Sequence, residues 1–380
     1  MIGSDAGRQA AARPVTWMLG LAFLVLLDAA VTRTRVLWGP TAFEHTGDIR
    51  QMTMAQTYIA ARAAYAPSAR AAESVVLLGN SRIWLGARPA DLDAALARRV
   101  AGVPPVENIG IFGAGAGDLE MLSRHLVRRR ARVVVVTVGT DDLVEAPGLR
   151  LAGIPEELLR IGTEPSPAVR EELAGRLDRW GRTVWPLWRF RELTRAVLAD
   201  RLRPDPTARP FPDKVTDTRM LFEIMHGAAA GRVEAAYQRW RREPSLARFL
   251  EYLAEPGPAY LDTIARRNAG ARAPAPGAPG ARAFERLLAR LAEAGWRTVV
   301  VVMPENPVLA EDTDHRWHDP ARAEAAFALI AAAAARHDVP LVDARRWLGA
   351  EAFLDFDHPL PGLGGFHEPL AEEVARVYGS

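Results

Sequence analysis

Five short runs along the chain read as strands, 74–79, 106–111, 132–138, 297–303 and 339–343, and in the first, third and fourth the apolar residues are consecutive and not alternate. The first, Ser74-Val-Val-Leu-Leu-Gly79, is closed by a glycine and leads through polar residues into the helical pattern Pro89-Ala-Asp-Leu-Asp-Ala-Ala-Leu96. Helical periodicity also separates the later runs, notably at 119–130, 283–294 and 321–336, and a final amphipathic helix passes through Val374, Val377 and Tyr378. A strand that is apolar on both faces has to be covered on both. Such strands alternating with helices predict a parallel sheet between two helical layers, a three-layer α/β/α domain.

Residues 146–279 interrupt this rhythm. They contain no strand of that kind, and aromatic residues such as Trp188, Tyr237, Trp240, Phe249 and Tyr252 stand at helical spacings among arginines and glutamates. This predicts a helical insertion or cap that ends in the Pro/Gly/Ala linker Ala269–Gly280. Its aromatics fit either a substrate groove or simple packing. The core then falls into two parts, 73–145 and 280–380.

The N-terminal end has a different pattern. After a tail at 1–13, residues Val15–Leu27 carry no charge, and the run reaches Val31 if Asp28 lies near an interface. A stretch at 14–31 is just long enough to span a bilayer. The following Asp-Ala-Ala-Val-Thr-Arg is a poor small-x-small cleavage site, which favours an uncleaved anchor over a signal peptide. Arg8 and Arg13 precede the run while Arg33 and Arg35 follow it, so the positive-inside count is nearly even. Residues 32–72 read as a helical connector, and the globular domain is expected outside the cytoplasm.

Composition narrows the function classes. Lys+Arg 48 against Asp+Glu 46 gives a net charge of +2, which supplies no strong field for nucleic acid. With no cysteine, disulfides, thiolate catalysis and cysteine-ligated zinc are excluded.

Ligands of open parallel sheets bind beyond the carboxyl ends of the strands, and four polar clusters fall there. Gly79-Asn80-Ser81-Arg82 follows the first strand; its serine fits an exposed nucleophile at a helix start or an ordinary cap. Asn108-Ile-Gly-Ile-Phe-Gly113-Ala-Gly115-Ala-Gly117 follows the second, where glycines let a backbone amide approach a substrate oxygen or simply form a turn. Its spacing is dinucleotide-like, but no acidic ribose-binding residue is placed for it. Gly139-Thr140-Asp141-Asp142 ends the third strand, as a cap, a ligand pair or an oxyanion element. Phe353-Leu-Asp355-Phe-Asp357-His358 precedes the last helix, and a histidine three residues after an aspartate can take the carboxylate on one ring nitrogen and offer the other to a serine.

In order and in position relative to the strands, these clusters resemble the SGNH (GDSL-like) hydrolase superfamily over 73–145 and 280–380. The expected fold is accordingly flavodoxin-like with sheet order 2-1-3-4-5. The resemblance implies a serine esterase or O-acyltransferase with Ser81, Asp355 and His358 as triad. It also implies an oxyanion site from the amides of Ser81 and Gly113 and the side chain at position 141. The chain departs from the family pattern twice, with Asn80 for the usual aspartate and Asp141 for the usual asparagine. The second departure matters more, because an ionised carboxylate has no hydrogen to donate.

Asn80, Arg82, Glu305 and Asn306 are further candidates for substrate contact; Asp357 is a rival to Asp355; His315 and His318 fit a solvated or substrate-facing loop better than a metal site. No metal or cofactor is expected. An anchored domain of this kind also resembles extracytoplasmic proteins that acylate or deacylate envelope and exported polysaccharides, some beside a multi-pass membrane-bound O-acyltransferase. An acylated carbohydrate or other ester is the expected substrate, and a non-catalytic glycan-binding or scaffolding subunit is the competing reading.

Overall fold

In the computed structural model of the chain, the described residues are 74–102, 104–111, 113–126, 131–143, 222–223, 226–257, 259–360 and 365–379, with isolated positions at 20, 22–24, 26–27, 195, 198, 202 and 219. The first part of the core runs β1 (Ser74–Asn80), α1 (Ser81–Gly86), α2 (Pro89–Ala97), β2 (Val106–Ile111), α3 (Ala116–Leu126) and β3 (Ala131–Val138), closed by a 3-10 turn at Thr140–Leu143. Three helices of the insertion follow, α4 (Ala230–Arg242), α5 (Leu246–Ala254) and α6 (Ala259–Gly270). The second part contains α7 (Pro279–Glu293), β4 (Arg297–Val302), α8 (Pro320–Arg336), β5 (Leu341–Asp343) and α9 (His367–Gly379).

The strands form one five-stranded sheet in the order β2-β1-β3-β4-β5, every pairing parallel. Alternate valines explain why the sheet is covered twice. Val75, Leu77, Val133, Val135, Val299 and Val301 face a core completed by α2, α9 and the insertion helices α4 and α5. Val76, Leu78, Val134, Val136, Val300 and Val302 face the other core, closed by α3, α7 and α8. Each such side chain, fully withdrawn from water, contributes on the order of 2 kcal/mol before conformational entropy is charged against it.

The fifth strand is shorter than the run 339–343 predicts. Pro340 has no N–H for a ladder, yet its carbonyl accepts from Val300 N at 2.9 Å, so the pairing starts just before Leu341. The described part of the insertion is helical, and its Tyr237, Trp240 and Phe249 are buried against one another as core, while Tyr252, also buried, lines the cavity at the sheet edge; Trp180, Trp185 and Trp188 lie outside the described residues. Of the expected anchor, residues 20, 22–24, 26 and 27 are helical and exposed, while the rest of it and the connector at 32–72 lie outside the described residues. Among the described residues no helix is long and apolar enough to cross a membrane.

Register places the site. Asn80 pairs with Ile111 and Val138 with Val302, so β1, β2, β3 and β4 release their chains along one edge.

Candidate active site

At that edge β1 turns directly into α1. Asn80 is the N-cap, its Oδ1 accepting from Arg82 N at 3.0 Å, which leaves Ser81 as the first helical residue and not the cap. The Asn80 amide donates to both oxygens of Asp142, at 2.8 and 2.9 Å. Asp142 also accepts from Gly139 N at 2.7 Å. The serine turn is thus tied to the end of β3 through the cap residue itself.

The loop before α9 comes to Ser81 from the other side, and its shape follows from local hydrogen bonds. Leu354 N donates to His358 O at 2.9 Å, and Leu360 N to Ala352 O at 2.7 Å, closing a tight turn. Inside it Asp355 Oδ1 accepts from the backbone N–H of Asp357 at 3.1 Å and of His358 at 2.9 Å. Aspartate favours turns because its short side chain can accept from the backbone two or three residues on. The same fold-back brings the Asp355 carboxylate within 2.8 Å of His358 Nδ1. On the far side of the ring, Nε2 lies 2.7 Å from Ser81 Oγ.

Hydroxyl, imidazole and carboxylate therefore stand in a continuous relay, the geometry in which an imidazole can take a hydroxyl proton while a carboxylate holds its tautomer. Asp357 is close too, with Oδ1 3.0 Å from the same Nδ1. Burial by itself would lower the His358 pKa, but the charges of Asp355 and Asp357 and their hydrogen bonds outweigh it and hold the imidazole well above its ordinary range.

Arg82 is the ionic hub of the site. Its side chain is 6% exposed and ion-paired to Asp141, with Asp357 Oδ2 at 2.6 Å from Nη2 and Asp142 at 3.7 Å from Nη1. Burial opposes the charge, yet Asp141, Asp357 and Asp142 raise the Arg82 pKa well above normal. For Asp357, burial would raise the pKa, but Arg82 and His358 hold it well below the usual carboxylate range. Burial dominates at Asp142, whose pKa rises to about 6 against the pull of Arg82. Gly139 makes the hub possible: a Cβ there would lie 1.3 Å from Arg82 Nη1.

Asp141, the residue at the expected asparagine position, accepts from Arg82. A carboxylate held in that way supplies no hydrogen bond to an oxyanion. Gly113 lies in the turn after β2 with φ 72°, a left-handed conformation that glycine adopts without strain, and it is not among the residues lining the cavity in front of Ser81. Asn80, Arg82 and Glu305 do line that cavity. Glu305 accepts from Thr140 Oγ1 at 2.7 Å. Asn306 is buried, 1% exposed, and its amide donates to the Asp355 carbonyl at 3.2 Å, so it supports the loop from behind.

Asp355, Asp357 and His358 are the one trio of potential ligands, among the described residues, whose atoms lie within 4.8 Å of one another. Arg82 and the imidazole already pair with these carboxylates, as in an ionic relay and not a cation site. His318 lines the cavity, with its backbone N–H and that of Trp317 held by Asp312. His367 opens α9, and its Nε2 accepts from Arg88 N at 3.0 Å, which together with its burial suits a neutral ring.

Sequence reasoning did not single out Tyr252, Tyr260 or Phe356 for the site. Tyr252 OH donates to Leu354 O at 2.6 Å, and the Tyr260 hydroxyl lies 3.5 Å from Asp355 Oδ2. Phe356 is flanked by Phe249, Tyr260 and Trp317, with ring centroids 5.2, 6.1 and 5.9 Å away. Tyr252 and Tyr260 carried no signal beyond belonging to the helical insertion, and Phe356 none beyond standing between Asp355 and Asp357. No family model matches the chain, and no curated protein matches it.

Proposed function

We propose that the protein is an SGNH-type serine esterase or O-acyltransferase that works through an acyl-Ser81 intermediate. The observation that carries this reading is the relay from Ser81 Oγ to His358 Nε2 at 2.7 Å and from Nδ1 to Asp355 at 2.8 Å, set at the carboxyl edge of the sheet. In the first half-reaction Ser81 Oγ bonds to the ester carbonyl carbon as its proton passes to His358 Nε2. The alkoxide leaves with that proton. In the second, water or a sugar hydroxyl gives its proton to the same nitrogen, attacks the acyl carbon and releases Ser81.

Negative charge on the carbonyl oxygen falls to the backbone N–H of Ser81 in this scheme, since Gly113, the second donor the family pattern implies, does not line the cavity. Asp141 is better assigned to holding Arg82. The residues at 14–31 act as a membrane anchor that leaves the domain extracytoplasmic, and the substrate is an acyl ester of a polysaccharide or other envelope component, handled alone or beside a multi-pass membrane-bound O-acyltransferase.

Hydrolysis of p-nitrophenyl esters by the purified full-length chain tests the chemistry. Release of nitrophenolate that disappears in Ser81→Ala supports it. An equal rate in that variant contradicts it, and a folded wild type inert to every ester favours the non-catalytic glycan-binding reading.

A further inference from the structure

Ser81 and His358 stand in the wall of a cavity of about 470 Å³. That is within the range of small-molecule sites, roughly 300–1,000 Å³, which are mostly apolar with a few placed polar groups. The polar groups here cluster at two places. One is the relay and the Arg82 hub; the other is Asn268, His318, Asp319 and Arg322.

The apolar lining includes Leu85, Val233, Leu253, Ile264, Leu309 and Phe356, contributed by α1, by α4, α5 and α6, by the 3-10 turn after β4 and by the loop of His358 itself. Val233 is 1% exposed and Leu85 and Leu253 are 6% exposed, so this wall belongs to the packed interior and is not a surface patch. The space is therefore shaped by residues with fixed rotamers and cannot close without repacking them.

We infer that this cavity is an acyl-chain site, and that the preferred acyl group is an aliphatic chain longer than acetyl. The inference rests on the acyl-serine reading above. When Ser81 Oγ bonds to the carbonyl carbon and the alkoxide departs with the proton from His358, the acyl tail has to lie against whatever adjoins Ser81. Beyond the polar groups of the relay, the cavity that Ser81 lines offers it the apolar side chains of Leu85, Ile264, Leu309 and Phe356. An acetyl methyl leaves most of this wall uncovered, whereas each added methylene that displaces water from it gains about fourfold in kcat/KM, the factor corresponding to ~0.8 kcal/mol per buried CH₂. The insertion supplies Val233, Leu253 and Ile264 of this lining, from α4, α5 and α6, so chain-length preference depends in part on a region outside the sheet.

The experiment is a series of p-nitrophenyl acetate, butyrate, hexanoate and octanoate with the full-length protein, run alongside fluorophosphonate labelling of Ser81. The expected result is a kcat/KM at least tenfold higher for hexanoate than for acetate. Ile264→Trp, which fills the cavity from its partly buried side, should reduce that hexanoate-to-acetate ratio by tenfold or more. If the variant does not fold, the wild-type series alone decides. Labelled Ser81 with an acetate preference, or with no dependence on chain length, overturns the acyl-chain site and leaves the esterase reading standing. No labelling and no turnover of any ester overturns both.

Discussion

The two halves of the proposed relay are held by different means. Ser81 is placed by backbone: it follows a strand paired on both sides, and its cap residue ties it to the end of β3. The Asp355–His358 loop belongs to no strand ladder beyond a single bridge between Phe353 and Pro359. Local hydrogen bonds shape it, and side chains from elsewhere anchor it to the rest of the chain. Tyr237 and Tyr252 of the insertion donate to the carbonyls of Glu351 and Leu354, Asn306 donates to the Asp355 carbonyl, and Arg82 clamps Asp357. Ser81 is thus placed by the sheet, while the position of His358 depends in part on a set of individually removable contacts. Damage to the insertion should move the base and leave the nucleophile in place.

The largest effects should come from the relay itself. Ser81→Ala should abolish acylation, and His358→Ala should lower kcat/KM by about 10³-fold or more through loss of the general base. Asp355→Ala should fall short of both, because the nucleophile and the ring remain. Steady-state kinetics on one ester ranks the three; equal losses for all would show that the loop collapses as a unit.

Arg82→Met comes next. It strips the cation from among Asp141, Asp142 and Asp357, and orphaning buried charge costs on the order of 3 kcal/mol. Urea denaturation should show that loss, together with a fall in kcat. An unchanged midpoint would mean that the hub is solvated and weak.

A smaller effect concerns pH. The carboxylates of Asp355 and Asp357 favour the protonated ring of His358. A protonated Nε2 cannot accept the Ser81 proton, so the active form is the neutral one, which appears only as pH rises through the raised pKa. The kcat/KM profile should therefore climb with an apparent pKa above the ~6.5 of a free histidine. Asp357→Asn removes one of the two charges and should move that limb to lower pH. A profile already flat by pH 6 would contradict the assigned charges.

Smallest is Tyr252→Phe, which leaves the buried Leu354 carbonyl without its donor and should cost about 1–2 kcal/mol. The comparison above predicts that it lowers kcat and slows fluorophosphonate capture by Ser81 together, each by less than His358→Ala does. A loss equal to that of His358→Ala would mean that the loop has no other support.

The sheet was legible because Val133–Val136 and Val299–Val302 are short runs, apolar at every position and all β-branched, which suits a doubly covered strand better than a buried helix. The candidate triad was legible for a related reason: its members adjoin strand ends or close a short Asp-x-x-His turn, so local spacing carries the geometry. Arg82 was read only as a possible substrate contact, since its partners Asp141 and Asp357 are 59 and 275 residues away and no local pattern announces them. Asp141 likewise stands as a departure from a motif until Arg82 is seen beside it. The insertion's support of the His358 loop was hidden because Tyr237 and Tyr252 at helical spacing say which face is buried and not what it is buried against.

The most direct measurement is intact-protein mass spectrometry of the full-length chain after exposure to a fluorophosphonate, with the adduct mapped by peptide fragmentation. The expected result is one adduct per chain, on Ser81, absent from Ser81→Ala and strongly slowed in His358→Ala. Wild-type protein that is folded yet unmodified, or an adduct that persists at the same level in Ser81→Ala, would contradict a nucleophilic Ser81.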